Sequence, residues 1–208
     1  MRLSSTLCLL AGLSGANAVD ISGYATTGCT TTGVTTCSGI YSNVCCRWPR
    51  GGLQVQSVLF SVLYEATIGV FYASSSSSYC STSRATTSGY QSNVCVRGGV
   101  LSNYFGGGGA WLDCTTQCNP DKRSLETDEL NAVADSQTCN SSAIPTILGW
   151  EGEGVWVLQL EEGDAWDRYN ELPSLDPTDM TTHVENLKAF GAEWHANATE
   201  HPIAAKFL

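Results

Sequence analysis

The stretch that decides the fold occurs twice: Ser38–Arg47 reads SGIYSNVCCR, and Ser88–Arg97 reads SGYQSNVCVR. The two copies begin fifty positions apart, and seven of their ten positions are identical without a gap. A repeated local sequence predicts a repeated supersecondary unit. We therefore expect two copies of one unit, each ending a strand on a cysteine.

One further cysteine precedes each copy: Cys29 lies sixteen residues before Cys45, and Cys80 lies fifteen residues before Cys95. The repeat predicts that each of these pairs forms a disulfide. Cys46 is the extra residue of the first copy, and successive side chains on a strand face opposite ways, so Cys45 and Cys46 should serve different bridges. The other candidates then pair among themselves, in an order that the sequence leaves open; they are Cys37, Cys46, Cys114 and Cys118.

The start of the chain has the pattern of a secretory signal peptide. Arg2 is followed by the apolar run Leu3–Leu13 and by the A-x-A site Ala16–Ala18. We expect residues 1–18 to be removed, a mature chain from Val19, and a secreted, extracellular protein with no transmembrane segment. Nine cysteines would remain, eight of them before residue 119, which leaves Cys139 as the odd one.

Composition changes at about residue 119. Residues 19–118 hold four Arg, no Lys and three acidic residues, whereas residues 119–208 hold seventeen acidic residues against five Lys and Arg. This asymmetry predicts a disulfide-rich β unit at 19–118 and an acidic α+β region at 119–208. The predicted fold class is mainly β, with small disulfide-rich antiparallel sheets and an internal repeat, followed by the smaller acidic α+β region.

Strand and helix patterns follow from residue type and spacing. Strands are predicted over Leu53–Leu63 and Ile68–Ala73, with a closely packed bend at Gly106–Gly109. In the acidic region we predict a hairpin of two strands and two helices. The hairpin strands are Ile144–Trp150 and Gly154–Glu161; the helices are Ser124–Ala134 and Thr182–His195, the second opened by a capping box from Thr182 to Glu185.

Two kinds of processing site fit the secretory route. Asn140 and Asn197 each begin an N-x-S/T sequon. Lys122-Arg123 is either a dibasic cleavage site or two solvated charges in a loop. If the chain is not cut there, we expect the acidic tail to fold onto the β unit with its apolar residues inward, namely Val155, Val157, Leu158, Leu187 and Trp194.

Catalytic and cofactor motifs are not recognised. The mature sequence has no G-x-S-x-G, its dense acidic residues are typical of a solvated surface, and His183 and His195 lie too far apart on one helix to share a metal ion. We assign no catalytic residue, no cofactor and no metal site. The net charge of −10 disfavours nucleic-acid binding.

Aromatic residues near turns could stack on a sugar ring. We single out Trp48, in the turn Arg47–Arg50, and Trp166 as candidate stacking residues. The wider set is Tyr41, Tyr90, Tyr104 and Trp111 in the β unit, with Trp156 and Trp194 in the acidic region.

The stretches CSGIYSNVCCR, GVFYASSSSSYCSTS and GGGGAWLDC resemble the small cysteine-rich secreted proteins of filamentous fungi, many of them candidate effectors. The repeat is also similar to a βγ-crystallin-like unit. These resemblances imply an extracellular, disulfide-stapled β fold and name no reaction. The predicted function is a secreted non-enzymatic interaction protein, effector-like or toxin-like, acting on a host or cell-wall partner. The alternative is a secreted carbohydrate-binding or carbohydrate-active protein, so the predicted partner is an extracellular protein or a glycan.

Overall fold

A computed structural model describes residues 18–30, 33–64, 67–73, 79–88, 91–97, 106–113, 132, 134–135, 139–176, 178–202 and 204–207. Several predicted features lie outside these ranges: the signal peptide apart from residue 18, Cys114 and Cys118, the Lys122-Arg123 pair, and almost all of the predicted helix Ser124–Ala134. Within the described ranges no helix is long and apolar enough to cross a membrane.

The described residues form mainly strands, which confirms the predicted fold class. The strands are β1 Val19–Tyr24, β2 Gly33–Ile40, β3 Val44–Arg47, β4 Gly52–Leu53, β5 Ser57–Leu63, β6 Thr67–Ala73, β7 Thr82–Ser88, β8 Gln91–Arg97, β9 Gly106–Asp113, β10 Ser141–Ala143, β11 Thr146–Glu151, β12 Gly154–Gln159, β13 Ser174–Leu175 and β14 Glu193–His195. The α-helices whose full bounds fall within the described ranges are α1 Asp164–Asn170 and α2 Met180–Ala189, and short 3₁₀ helices there span Ala198–Glu200 and Ala204–Phe207.

Two sheets face each other across one hydrophobic core. The seven-stranded sheet has the order β14-β12-β11-β2-β1-β5-β8, and the five-stranded sheet has the order β10-β3-β9-β6-β7. Ile21 and Phe60 of the first sheet and Phe71 and Trp111 of the second belong to the same buried cluster. The predicted strand Leu53–Leu63 is divided into β4 and β5, and β5 supplies much of this core, as its apolar residues indicated.

The repeated stretch forms a similar local structure in both copies. Asn43 and Asn93, at equivalent positions, both have a positive φ, 62° and 52°, a conformation that Asn tolerates better than most residues. Two residues later, Cys45 lies in β3 and Cys95 in β8; Asn43 precedes β3, whereas Asn93 lies within β8. The two copies join the sheets in opposite order. The first leads from β2 of the seven-stranded sheet to β3 of the five-stranded sheet, and the second leads from β7 of the five-stranded sheet to β8 of the seven-stranded sheet.

The disulfide pairing predicted from the repeat is wrong. The bonds join Cys29 to Cys95 and Cys45 to Cys80, so each one links the two halves of the β unit. The reason is the strand order. The amide of Cys29 donates to Ser57 Oγ at 3.1 Å, and Ser57 is the first residue of β5. Strand β5 pairs with β8, which carries Cys95. Sheet neighbours, and not chain neighbours, bring two Cα atoms within the roughly 4.4–6.8 Å that a disulfide needs.

The adjacent cysteines serve two different bridges, as predicted. Cys45 bonds to Cys80, and Cys46 bonds to Cys37, with 5.8 Å between the Cα atoms of the second pair. Cys37 lies on β2 and Cys46 on β3, so this bond joins the two sheets. Cys139 is a free thiol.

The glycine run Gly106–Gly109 is part of β9 and not a bend, which corrects the prediction. β9 lies between β3 and β6 in the five-stranded sheet. The predicted close packing is present: a Cβ added to Gly109 would lie 2.8 Å from Ile21 Cγ2 and 3.1 Å from Trp48 Cζ2. Glycine at this position lets the facing sheet and the Trp48 ring approach the strand.

Strands from both sides of residue 119 share the two sheets. Thr146 of β11 pairs with Thr36 of β2, and β10 runs parallel to β3 with Ser142 opposite Cys45. Val155, Val157, Leu158 and Leu187 are buried as expected, whereas Trp194 is exposed. The four buried side chains lie in clusters whose other members also come from beyond residue 119, so they are covered by the acidic region itself and not by the β unit as predicted. The domain boundary after Cys118 and the cleavage at Lys122-Arg123 stay predictions.

The hairpin of the acidic region is confirmed as β11 and β12, while the helix after it differs from the prediction. The helix spans Met180–Ala189 and not Thr182–His195. Its N-cap is Asp179, whose carboxylate accepts from the amide of Thr182 at 3.1 Å, so the predicted capping box is wrong. The helix ends before Gly191, whose φ of 88° turns the chain into β14.

Candidate functional site

The two predicted stacking residues are buried. Trp48 has no exposed surface and packs in the core against Phe71, with 5.5 Å between the ring centroids. Trp166 is 3% exposed. Neither ring is open to a ligand, and the prediction that they stack on a sugar is not supported. The turn that carries Trp48 points its side chain between the two sheets.

Trp166 instead helps to join the acidic region to the β unit. The guanidinium carbon of Arg47, on β3, lies 5.5 Å from the centroid of the Trp166 ring and 5.7 Å from that of Tyr79. Arg50 covers Tyr79 at 4.6 Å, and Arg47 also forms an ion pair of 2.8 Å with Glu162. Cations over aromatic faces at these distances are attractive, so the cluster is a structural contact between the two regions.

The large apolar side chains that remain exposed, among the described residues, are Tyr41 and Trp194, at 56% and 43%. Trp194 lies on β14 directly opposite Trp156 of β12. The two ring centroids are 5.1 Å apart, and the planes are tilted by 45°. β14 is the last strand of its sheet, so this pair of rings stands at an open sheet edge.

Two charged residues flank the pair of rings. The indole NH of Trp156 donates to a carboxylate oxygen of Glu151 at 2.9 Å, and the amine of Lys188 lies 4.7 Å from the Trp156 centroid. Lys188 also pairs with Glu151 at 3.6 Å. The hydrogen bond from Trp156 and then the charge of Lys188 lower the pKa of Glu151. We call Trp194, Trp156, Glu151 and Lys188 the Trp194 surface.

Two open grooves lie next to this surface, and Trp150 lines both. The first, of about 200 Å³, is lined by Trp150, Glu151, Met180, Thr181, Val184, Glu185 and Lys188. The second, of about 460 Å³, is lined by Trp150, Gly152, Glu153, Ala196, Asn197 and Ala198. Glu151 and Lys188 therefore belong both to the Trp194 surface and to the wall of the smaller groove.

The histidines considered for a metal site do not come together. His183 is 1% exposed on α2, where its Nε2 lies 3.0 Å from the carbonyl of Leu148. Burial lowers its pKa, and the hydrogen bond to Leu148 opposes that shift. His195 is on β14, opposite Val155 and next to His201, with 4.9 Å between the two ring centroids.

The dense acidic residues expected to form a solvated surface are exposed in the run from Glu151 to Asp167, and two of them pair with cations, Glu151 with Lys188 and Glu162 with Arg47. The full set is Glu151, Glu153, Glu161, Glu162, Asp164 and Asp167.

Both sequons lie at exposed positions. The amide of Asn140 donates to the carbonyl of Asn43 at 2.8 Å. The side-chain oxygen of Asn197 accepts from the amide of Thr199 at 3.0 Å and caps the short helix that follows. Glycosylation of both stays a prediction that their exposure permits.

The sequence analysis included Trp156 and Trp194 in the wider set of aromatic residues but did not single them out, because it placed Trp194 on the inner face of a helix. The signal that could have found the right structure is Gly191, which ends the helical pattern before Trp194. The chain then re-enters an extended conformation over Glu193–His195.

A family model for an N-terminal domain, ARB_05566_N, matches residues 20–150. The match covers more than half of the chain and runs from β1 into β11, across the change in composition at residue 119. Trp156, Lys188 and Trp194 lie beyond it. No curated protein and no solved structure matches the chain. The chain belongs to the family defined by the ARB_05566_N N-terminal domain.

Proposed function

We propose that the protein is a secreted, non-enzymatic interaction protein whose partner is a glycan, such as a cell-wall polysaccharide, bound at the Trp194 surface. The observation that carries this proposal is the Trp194 ring itself, 43% exposed on an edge strand and held against Trp156. A flat ring that is supported from one side and open on the other offers a platform for the apolar face of a sugar. Such rings combine a large apolar area with few rotatable bonds, which limits the entropy lost on binding.

The flanking charges supply the polar contacts that a sugar needs. The lowered pKa of Glu151 keeps it a carboxylate, which offers about four lone-pair positions, and Trp156 and Lys188 use only part of them. The Lys188 ammonium has three donors. Hydroxyl groups around the edge of a stacked ring could therefore donate to Glu151 and accept from Lys188.

The non-enzymatic part of the proposal is supported by the lowered pKa of Glu151. Carboxylates that act as general acids in glycoside hydrolysis need a raised pKa. Glu151, the acidic residue of the Trp194 surface, has a lowered one, and it is exposed.

Retention on insoluble polysaccharide tests the proposal. The wild-type protein, Trp194→Ala and Tyr41→Ala would be incubated with chitin, β-glucan and cellulose, and the bound fraction measured. Tyr41 is the matched control, because it is an exposed aromatic on the turn between β2 and β3, away from β14. We expect retention of the wild type and Tyr41→Ala on at least one polymer and a loss of at least tenfold in affinity for Trp194→Ala. Equal retention of all three, or of none, contradicts the proposal.

A protein partner is the second candidate, in keeping with the effector-like prediction. It is favoured by the position of β14 at the end of the seven-stranded sheet, since an edge strand can accept a further strand from another chain. This candidate predicts no retention on polysaccharide and slower hydrogen exchange of the β14 amides when the partner is added.

A further inference from the structure

Three sulfur atoms come together between the five-stranded sheet and the segment that leads into β10. The Sγ atoms of Cys45, Cys80 and Cys139 all lie within 4.8 Å of one another. Cys45 and Cys80 are bonded, and Cys139 is a free thiol. The family match spans all three positions, and the thiol therefore lies beside a disulfide in the family domain.

The three residues differ in how firmly the backbone holds them. Cys45 is 3% exposed and lies in β3, between β9 and β10. Cys80 and Cys139 are half-buried and precede β7 and β10 without being part of a strand. Both also pack against the same apolar cluster, formed by Ile68, Val70, Tyr72, Ala110, Leu112 and Ala134. A bond between Cys80 and Cys139 thus requires less movement of paired strands than a bond between Cys45 and Cys139.

We propose that Cys139 exchanges with the Cys45–Cys80 disulfide and gives a second form of the protein with a Cys80–Cys139 bridge. The Cys139 thiolate attacks Sγ of Cys80, the new sulfur–sulfur bond forms as the bond from Cys80 to Cys45 breaks, and Cys45 leaves as a thiolate that takes up a proton. One disulfide and one thiol are present before and after the step. No oxidant or reductant is consumed.

The exchange changes which parts of the protein are covalently joined. In the first form the bridge connects β3 to the residues before β7, both inside the β unit. In the second form it connects those residues to the start of β10, beyond residue 119. The second form therefore fastens the acidic region to the β unit, while β3 keeps its link to the other sheet through Cys46.

Burial controls the rate of this step. It raises the pKa of Cys139 to about 11, so only on the order of one thiol in ten thousand is ionised at pH 7. Because the thiolate is the attacking species, the rate should rise roughly tenfold per pH unit between pH 7 and 9. The first form is therefore long-lived at neutral pH, and the exchange becomes measurable in mildly alkaline solution.

Differential alkylation with peptide mapping tests the proposal on the full secreted chain. The protein would be incubated without added thiol at pH 7 or pH 9, quenched in acid, alkylated and digested without reduction. We expect the label on Cys139 at first, and after incubation at pH 9 a Cys80–Cys139 peptide together with label on Cys45. The rate should not depend on protein concentration, because the step is intramolecular.

The Cys139→Ser variant is the control, and it should keep the Cys45–Cys80 bridge with no label on Cys45 at either pH. A label that stays on Cys139 at pH 9 would overturn the proposal. So would a Cys139 bonded to Cys114 or Cys118 in the protein as isolated. Since this mapping involves neither Trp194 nor a glycan, its outcome is independent of the proposed function.

Discussion

Cys37 and Cys46 form a disulfide between β2 and β3 that joins the two sheets inside the core, where Cys37 is 3% exposed and Cys46 is fully buried. Only nine positions separate the two residues, yet they belong to different sheets. The chain crosses from one sheet to the other at the turn of the repeat, with Asn43 in the left-handed conformation.

Removing this bond should destabilise the protein. We expect Cys37→Ala/Cys46→Ala to lower the free energy of unfolding by about 2–4 kcal/mol, the usual contribution of a disulfide. Cys29–Cys95 closes a longer loop, with 66 positions between its cysteines, so Cys29→Ala/Cys95→Ala should cost roughly 1–2 kcal/mol more in the chain-entropy model. Chemical denaturation of the two double variants measures both values. A loss under about 0.5 kcal/mol for either pair would contradict the assigned bridge.

His183 should make the protein less stable in mild acid. Its pKa is lowered in the folded state by burial, so the unfolded chain binds more protons as the pH falls below the ordinary value of 6.5. The contribution of neutral His183 to the free energy of unfolding is complete above pH 6.5. It is lost as the pH falls below 6.5, by up to about 1.4 kcal/mol per pH unit. In His183→Gln, which retains a donor for the Leu148 carbonyl, the loss of unfolding free energy between pH 7 and 5 should be smaller than in the wild type.

His201→Gln is the comparison variant. The pKa of His201 is also lowered, by burial and then by the charge of His195, but His201 is only half-buried, so its replacement should reduce the loss of stability in acid less than His183→Gln does. Parallel profiles for the wild type and His183→Gln would show that His183 is not responsible.

The absence of a side chain at Gly154 should be required for the position of the Trp194 ring. A Cβ at this position would overlap the indole ring of Trp194, so Gly154→Ala must displace the ring or separate β14 from β12. We expect a loss of about 1–3 kcal/mol in unfolding free energy, as for other overpacked sites, together with weaker retention on polysaccharide. Gly28→Ala is the matched control, since its nearest neighbour would be the Thr30 hydroxyl at 3.3 Å. If Gly154→Ala is retained on polysaccharide as well as the wild type, binding does not depend on the position of the Trp194 ring.

Arg47 should stabilise the fold more through its contact with aromatic rings than through its ion pair. Glu162 is 76% exposed, and an ion pair at the surface contributes less than about 1 kcal/mol. Arg47→Ala also uncovers the rings of Trp166 and Tyr79, so we expect a loss of about 1–2 kcal/mol, against less than about 0.5 kcal/mol for Glu162→Gln. Thermal denaturation of the two variants compares them, and equal losses would mean that the ion pair dominates.

Local features were predictable from the sequence where neighbouring residues alone decide them. The hairpin of β11 and β12 follows from apolar strands on either side of Glu151-Gly152-Glu153, and Gly152 does adopt a positive φ of 63°. Cys45 and Cys46 serve different bridges because adjacent side chains on a strand point to opposite faces. The identical Asn43 and Asn93 share a backbone conformation for the same local reason.

The tertiary structure alone decided everything that depends on which strands become neighbours. Cys29 bonds to Cys95 because β5 lies between β1 and β8, and no spacing along the chain encodes that order. The same holds for the aromatic rings: Trp48 and Trp166 are covered by residues distant in sequence, whereas Trp194 stays open because β14 ends its sheet. Residue type sets what a side chain can do, but burial depends on the whole arrangement of sheets, and in that arrangement Trp194 stays exposed to solvent.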